Sequence, residues 1–248
     1  EKGDTKNYLG HVYIAAPTGS GKTWFLKDLL VDNAEQHGRK KRTIFFLSRV
    51  PKGKDKSLKA LKKTYKKKYI HFDLKNFRED DADDSEEEDV HNVESLIEHI
   101  NEKYSNNDDE PIFFPKMEDF PAGSFIVFDD INTISDSKSG GLEMRDKIRR
   151  LQNDLIECGR HQKVSCISTN HLLTNYSETK RLLNECKYFC LFPRAQFNAT
   201  NQILKNRYGM LERKRVRMLK GVAADGRWGW MHAQAPNYIV SKKRIWIL

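Results

Sequence analysis

A short glycine-rich segment near the start of the chain has the residue types of a phosphate-binding loop. It follows the apolar run Val12–Ala15 and precedes a helical pattern that begins near Trp24. In a turn between a strand and a helix, backbone N–H groups face a phosphate, and the new helix directs its partial positive end to the same place. The pattern therefore predicts a loop that binds a nucleoside triphosphate. The segment comprises Ala16, Pro17, Thr18, Gly19, Ser20, Gly21, Lys22 and Thr23.

Individual residues of this P-loop have separate predicted roles. Lys22 supplies a mobile cation for the β- and γ-phosphates, and the Thr23 hydroxyl can ligate Mg²⁺. Ala16 replaces the usual first glycine, which is tolerable because Gly19 and Gly21 supply the special backbone angles. An ordinary glycine turn is the alternative, and the flanking strand and helix patterns disfavour it. The predicted cofactors are ATP and Mg²⁺.

A second motif couples a buried strand to two carboxylates. Four apolar residues at 125–128 are followed by Asp129 and Asp130, which is the Walker B arrangement. In a parallel sheet the carboxyl end of such a strand opens on the ligand crevice. Asp129 is predicted to hold Mg²⁺ through its water shell. Asp130 is predicted to orient or deprotonate the attacking water, as a general base must.

Charge is unevenly distributed along the 248 residues. The formal net charge is +9, but the run at 79–89 holds nine acids and no base, so the remaining residues carry +18 (9 + 9). Such an excess favours a polyanionic partner, of which nucleic acid is the first candidate, although it also serves solubility. The lysine-dense stretch at 52–68 predicts a basic amphipathic helix that either faces a phosphate backbone or is simply solvated. The acidic run is predicted to be a loop.

Apolar runs and helical periodicities alternate along the chain. This alternation predicts an α/β, three-layer P-loop NTPase fold with a mostly parallel central sheet, helices on both faces and a C-terminal β-hairpin extension. Two parts are expected: an ATPase core over 1–220, with the acidic insertion near 79–89, and a tail over 221–248 packed on that core. Beyond the two motifs, strands are predicted at 43–48, 69–74, 164–169 and 188–192, and a hairpin is predicted at 226–248. Helices are predicted at 93–100, 144–156 and 180–184, and a strongly basic helix is predicted at 202–219.

The cysteines and the hydropathy indicate an intracellular protein. Cys158, Cys166, Cys186 and Cys190 lack the paired spacing of a metal site, so they are interpreted as reduced core residues. No apolar run reaches the roughly 18 residues that a membrane span requires. No signal-peptide pattern is expected at the start of the chain.

The order of motifs resembles the FtsK–HerA superfamily of DNA-pumping ATPases. After the P-loop and Phe128-Asp129-Asp130 come an arginine, a strand with a polar residue at its end, and a further strand followed by Arg194. Within that superfamily, the compact layout is similar to the poxvirus-type genome-packaging ATPases of large DNA viruses and virophages. The resemblance spans residues 8–210, and it is carried by 12–30, 125–130, 159–171 and 188–204.

This resemblance implies a RecA/ASCE-like fold and a mechanism. Packaging ATPases of this kind assemble as homo-oligomeric rings, here expected to be a hexamer, and move double-stranded DNA of any sequence into a capsid. An arginine finger from a neighbouring subunit is implied, with Arg160 as the first candidate and Arg194 and Arg207 as the next. FtsK proteins end the sensor strand in Gln, and here Asn170 or His171 must serve. Many relatives place Glu where this chain has Asp130.

The implied partners are double-stranded DNA, other copies of the chain and capsid proteins, with no membrane span. The implied location is the host cytoplasm or viral factory, or the virion. The regions at 52–68 and 135–141 are hypotheses for the loops that line the DNA pore. Two other functions stay open: a small-molecule P-loop kinase, and an ATP-binding assembly factor that does not translocate DNA.

Overall fold

The computed structural model describes residues 9–37, 42–48, 55, 58–74, 116–131, 141–173 and 176–248. It divides into two compact units. The first contains Glu1–Leu9 and Lys27–Cys166, and the second contains Gly10–Leu26 and Ile167–Leu248. The acidic run at 79–89 and the helix predicted at 93–100 lie outside the described residues. So do residues 132–140 and, apart from Asp55, residues 52–57 of the lysine-dense stretch.

The second unit is built around the strand that precedes the P-loop. Strand β1 (Val12–Ala15) is fully buried and lies between two parallel neighbours, β5 (Ser165–Asn170) and β6 (Tyr188–Leu191). In the register Ala15 is opposite Asn170, which brings the ends of both strands to the start of the P-loop. Strands of a parallel sheet that are buried on both faces read as continuous apolar runs, and every residue of β1 is buried, which explains its sequence pattern.

Three antiparallel strands extend this unit at its C-terminal end. Strand β7 (Gly229–His232) pairs with β6, β8 (Tyr238–Val240) pairs with β7, and β9 (Ile245–Ile247) pairs with β8. The predicted C-terminal hairpin is therefore present, with one strand more than a hairpin requires. The division of the chain at residue 221 stays a prediction.

The first unit holds the strand of the Walker B motif. Strand β2 (Ile44–Ser48) lies between β3 (Tyr69–Asp73) and β4 (Phe125–Asp129), and all three run parallel. Every residue of β2 and β4 is buried. Both strands end together, because Ser48 is opposite Asp129 in the register.

Six α-helices connect these strands in the described residues. They are α1 (Lys22–His37), α2 (Lys59–Tyr65), α3 (Gly141–Gln162), α4 (Tyr176–Glu185), α5 (Phe197–Tyr208) and α6 (Glu212–Asp225). Short 3₁₀ turns cover Lys66–Lys68 and Met117–Asp119. The predicted fold class is confirmed: an α/β, P-loop NTPase-type fold with mostly parallel strands, helices between them and antiparallel strands at the C-terminal end.

The lysine-dense stretch forms an amphipathic helix where it is described. Helix α2 buries Leu61 and Tyr65, while its lysines at 59, 62 and 63 are exposed. The prediction of a basic helix is therefore confirmed for Lys59–Tyr65. Whether its lysines face a phosphate backbone stays a prediction.

The single basic helix predicted over 202–219 is wrong, because Gly209 divides it into α5 and α6. Gly209 adopts a left-handed conformation with φ of 58°, and its N–H donates to the carbonyls of Leu204 and Lys205. This is a glycine C-cap, which satisfies carbonyls that the helix end leaves without partners. A glycine between two basic helical segments is the sequence signal for this break.

Three of the four cysteines are core residues, and the fourth is not. Cys166, Cys186 and Cys190 are buried, and burial raises the pKa values of the Cys186 and Cys190 thiols above their ordinary range. Cys158 is exposed on α3, which corrects the interpretation of all four as core residues. Among the described helices, none is both long and apolar enough to cross a membrane.

His11 makes the stability of the fold sensitive to acid. The residue is 4% exposed and immediately precedes β1, and burial lowers its pKa to about 4 from 6.5. Below pH 6.5 the unfolded chain therefore binds a proton that the folded chain excludes, and folding stability falls until the pH reaches about 4. Between pH 7 and pH 5 this group alone is expected to cost about 2 kcal/mol.

Denaturant unfolding at these two pH values tests the prediction. The variant His11→Gln is expected to lose about 2 kcal/mol less than the wild type between pH 7 and pH 5. The matched control is His161→Gln, because His161 is exposed on α3. Equal pH dependence in wild type and His11→Gln would contradict the prediction.

Candidate functional site

The P-loop has the backbone of a phosphate cradle. Gly19 and Gly21 have φ values of +78° and +98°, in the region that glycine adopts without strain. A Cβ built on Gly19 meets no other atom within 4 Å, so this side of the loop is open. Helix α1 begins at Lys22 and carries no acidic residue in its first turn, which leaves its positive end available to an anion.

Two acceptors from the end of β5 hold the Lys22 ammonium. Its Nζ donates to the Asn170 carbonyl oxygen at 3.2 Å and lies 3.1 Å from His171 Nδ1. Lys22 is only 6% exposed, and a buried ammonium needs such partners because removing it from water is costly. The cation is thus already desolvated and oriented at the mouth of the P-loop.

The same contact fixes the tautomer of His171. An ammonium only donates hydrogen bonds, so Nδ1 must accept and the ring proton must reside on Nε2. Nδ1 also lies 3.4 Å from Thr18 Oγ1 in the P-loop. The Gln196 amide donates to the His171 carbonyl at 2.7 Å and holds this segment in place. The His171 ring therefore faces the phosphate-binding loop, with Nδ1 directed at Lys22 and Thr18.

Asn170 has a different environment. Its Nδ2 donates to the Tyr13 hydroxyl at 3.3 Å, and that hydroxyl donates to the Leu172 carbonyl at 2.8 Å. Its backbone carbonyl accepts from Lys22 and from the Ala16 N–H at 3.0 Å. Tyr13 and Asn170 are both buried, so the Asn170 amide forms part of the support beneath the loop.

The first unit contains the predicted metal carboxylate. Asp129 ends β4 at 7% exposure, and its Oδ2 accepts a hydrogen bond of 2.9 Å from Ser48 Oγ at the end of β2. The hydroxyl fixes the orientation of the carboxylate, in the way that outer partners orient metal ligands. Ser48 was not predicted as a site residue. A hydroxyl at the carboxyl end of an apolar strand next to the Walker B strand is the signal that could have identified it.

Asp130 occupies a conformation that most residues avoid. Its φ is 51°, in the left-handed region, and its side chain is half-buried. A non-glycine residue held there costs on the order of 1 kcal/mol or more, and such residues cluster at functional sites. The outlier coincides with the predicted general base.

The three arginines considered as fingers differ in their contacts. Arg194 Nε donates to the Ala223 carbonyl at 2.6 Å, and Arg207 Nη2 donates to Asn184 Oδ1 at 2.7 Å. Arg160 is exposed in the last turn of α3, and within the described ranges its guanidinium makes no hydrogen bond or ion pair. Of the three, Arg160 is the one available to another molecule.

The residues present fit a nucleoside triphosphate and a magnesium ion by their chemistry. Lys22 and the open loop suit phosphates, while the Thr23 hydroxyl and the Asp129 carboxylate are hard oxygen ligands. Thr23 belongs to the second unit and Asp129 to the first, so their pairing stays a prediction. The described residues contain no group of three or more His, Cys, Asp or Glu that could hold a metal. Mg²⁺ uses one or two carboxylates together with phosphates.

Comparison with known proteins identifies the family. The model of the ResIII family, described as "Type III restriction enzyme, res subunit", matches residues 3–155, more than half of the chain. The chain belongs to the ResIII family. The part matched by the ResIII model includes the P-loop, Asp129 and Asp130, and it ends before Asn170 and His171.

Individual relatives include viral proteins. The "Uncharacterized protein V3" of Sputnik virophage is 29% identical over 115 residues, which are 46% of this chain and 44% of that protein. The match therefore spans less than half the length of this virophage relative.

Solved structures found in the comparison include B204, the DNA-packaging ATPase of Sulfolobus turreted icosahedral virus. Its TM-score is 0.49 at 13% identity, over 97% of each chain. The cytoplasmic domain of the type VII secretion ATPase EccC of Thermomonospora curvata has a TM-score of 0.48 at 13% identity, over 94% of this chain and 25% of that one. The proteins found thus include a viral DNA-packaging ATPase and a virophage protein, which are the kinds of protein that the sequence resembles.

Proposed function

We propose that this chain is an ATPase that acts on double-stranded DNA, and that it serves as a subunit of a ring motor that packages a viral genome. The observation that carries the proposal is the position of Lys22, which is buried, desolvated and held by Asn170 and His171 beside an open P-loop. The DNA-packaging role is supported by the order of the sequence motifs, and a viral setting is supported by the similarity to a virophage protein. Such a motor would work in the host cytoplasm, in the viral factory or in the virion.

The chain's own residues divide the chemistry of hydrolysis. Lys22 and the P-loop N–H groups neutralise the phosphates, and Asp130 accepts the proton of the attacking water. In this proposal the γ-phosphate replaces His171 as the partner of Lys22. The Nε2–H of His171 then donates a hydrogen bond to that phosphate. Asp129 and Thr23 would hold Mg²⁺, which would neutralise negative charge on the phosphates when bound.

Helix α6 supplies a surface for DNA phosphates. Arg213, Arg217 and Lys220 are exposed at spacings of four and three residues, which places them on one face of the helix. The buried Arg215 holds the helix against the preceding segment by donating to Asn201 Oδ1 and to the Met210 carbonyl. A row of cations without base-reading groups suits a motor that must accept any sequence.

The test is the ATPase rate with and without long duplex DNA at low salt, over a range of protein concentrations. We expect stimulation by DNA and a rate that rises with concentration as rings form. Replacement of Arg213, Arg217 and Lys220 by Gln is expected to reduce the stimulation and leave the basal rate intact. A rate that does not respond to DNA at any concentration would contradict the proposed motor.

The same assay separates the two alternative functions. A small-molecule kinase would transfer phosphate to a nucleoside or metabolite instead of releasing it. An assembly factor would bind ATP as a monomer without affinity for DNA. Light scattering with ATP and DNA present gives the subunit count, for which we propose six.

Asp130→Asn is expected to separate nucleotide binding from hydrolysis. The amide cannot accept the proton of water, so kcat should fall by about 100-fold or more while the Kd for ATP changes little. Nucleotide binding measured by fluorescence and phosphate release measured in single turnover provide the two readouts. Normal hydrolysis by Asp130→Asn would show that another residue is the general base.

Substitution of Asn170 and His171 distinguishes the sensor from its support. His171→Ala removes a donor that faces the γ-phosphate, so turnover should fall by about 100-fold with little change in melting temperature. Asn170→Ala breaks the buried contact to Tyr13 and should cost about 1–3 kcal/mol of stability. Thermal melts and steady-state rates of both variants check this assignment, and a reversed pattern would make Asn170 the sensor.

A further inference from the structure

Arg227 lies at the P-loop, in the turn that joins α6 to β7. A Cβ built on Gly21 would lie 3.9 Å from Arg227 Nη1. Glycine at such a position lets the backbone approach a phosphate closely, so the space beside Gly21 is where the ligand is expected. The guanidinium is thus adjacent to the phosphate-binding part of the loop, although Gly21 and Arg227 are 206 positions apart in the sequence.

Aromatic packing fixes this turn to the first turn of α1. The Phe25 ring, three residues after Lys22, lies 4.8 Å from the Trp228 ring and 5.6 Å from the Trp230 ring. Phe25 is 7% exposed and also makes an edge contact of 6.5 Å with Phe192. The residue after Arg227 is therefore anchored on the P-loop helix, and the position of the arginine is determined by the packed core of the second unit.

The guanidinium is available to an anion. Arg227 is exposed, and no carboxylate or carbonyl of the described residues pairs with it. The other charges at this loop are also positive: the Lys22 ammonium and the N-terminal end of α1, which has no acid in its first turn. Like charges gathered at one place are unfavourable until an anion neutralises them, so the arrangement favours a multiply charged anionic ligand.

We propose that Arg227 binds the β-phosphate of the nucleotide in cis, from the same subunit that supplies the P-loop. The inference rests on the proposed function, because it assumes that the loop binds a nucleoside triphosphate. The planar guanidinium presents five N–H donors, which suits paired contacts to phosphate oxygens. Because P-loop N–H groups face the β-phosphate, Arg227 contributes to binding of nucleoside diphosphates and triphosphates alike.

The experiment measures the Kd of the full chain for ADP, for a non-hydrolysable ATP analogue and for AMP, at low protein concentration. Arg227→Ala is expected to raise the Kd for ADP and for the analogue by about 10- to 100-fold, with little effect on AMP. Arg227→Lys should restore part of the affinity, because it keeps the charge and loses the paired contact. The matched control is Lys205→Ala, which removes one exposed positive charge from α5.

A second measurement keeps the two proposals distinguishable. Without nucleotide, Arg227→Ala and Arg227→Gln should melt within about 1 °C of the wild type, since an exposed side chain contributes little stability. Wild-type affinity for ADP in a folded Arg227→Ala variant would overturn this inference and leave the proposed function intact. Failure of the wild type itself to bind any nucleotide would overturn the proposed function. A lowered melting temperature with unchanged affinity would make Arg227 structural and overturn the inference as well.

Discussion

Replacing Lys22 with alanine is expected to lower kcat/KM for ATP by about 10³- to 10⁵-fold. A contact between a fixed cation and a phosphate contributes about 10- to 100-fold to binding. Removing a preorganised donor from the transition state costs about 10²–10³ more in rate. Lys22 supplies both effects, because its ammonium is buried and positioned before nucleotide arrives.

Phosphate release and nucleotide binding by the same preparation measure the two contributions separately. Lys27→Ala is the matched control, since Lys27 lies on the same helix and pairs with Asp28 at 2.7 Å. This control should retain its rate within about threefold, because an ion pair whose carboxylate is exposed contributes little. A Lys22→Ala variant that keeps even a tenth of the wild-type kcat/KM would exclude the P-loop as the catalytic site.

The P-loop could be predicted because its chemistry is local in the sequence. Its strand, glycines and helix start lie within about fifteen residues, and each requirement acts on the backbone of neighbouring residues. The positive φ values of Gly19 and Gly21 and the start of α1 at Lys22 follow directly from those requirements. The same reasoning correctly identified β4, because four buried apolar residues end at Asp129.

The sensor could not be assigned from sequence because its identity depends on contacts between distant segments. Asn170 and His171 are adjacent and both polar, so their order alone favours neither. The structure separates them: the Tyr13 hydroxyl engages the Asn170 amide, while the His171 imidazole faces Lys22. These contacts join residues about 150 positions apart and depend on the pairing of β1 with β5.

Arg227 was missed for a related reason. In a chain with 44 lysine and arginine residues, one arginine in a turn carries no distinguishing signal. Its position depends on the packing of Trp228 against Phe25, which hydrophobic periodicity does not show. Ser48 is similar, since its relevance appears only when β2 and β4 are in register at Asp129.

Arg160→Ala is expected to lower the DNA-stimulated ATPase rate by about 10³- to 10⁵-fold if its guanidinium serves as a finger in a neighbouring site. The physical reason is that Arg160 is exposed and that, in the described part of its own chain, its guanidinium makes no hydrogen bond or ion pair that a substitution would break. Its loss should therefore leave the melting temperature and the Kd for ATP of dilute subunits unchanged. Arg194→Ala is the matched control, because Arg194 already donates to the Ala223 carbonyl.

Mixing two inactive variants tests whether the finger acts between subunits. Arg160→Ala keeps Asp130 and lacks the finger, whereas Asp130→Asn keeps the finger and lacks the base. In a randomly mixed ring of equal proportions, roughly a quarter of the heterologous interfaces join an intact Asp130 to an intact Arg160 of the neighbour. Activity should therefore reappear on mixing, at up to about a quarter of the wild-type rate if interfaces act independently. If Arg160 acts in cis, every subunit lacks one group and the mixture stays inactive, because no arrangement of the ring can restore a complete site.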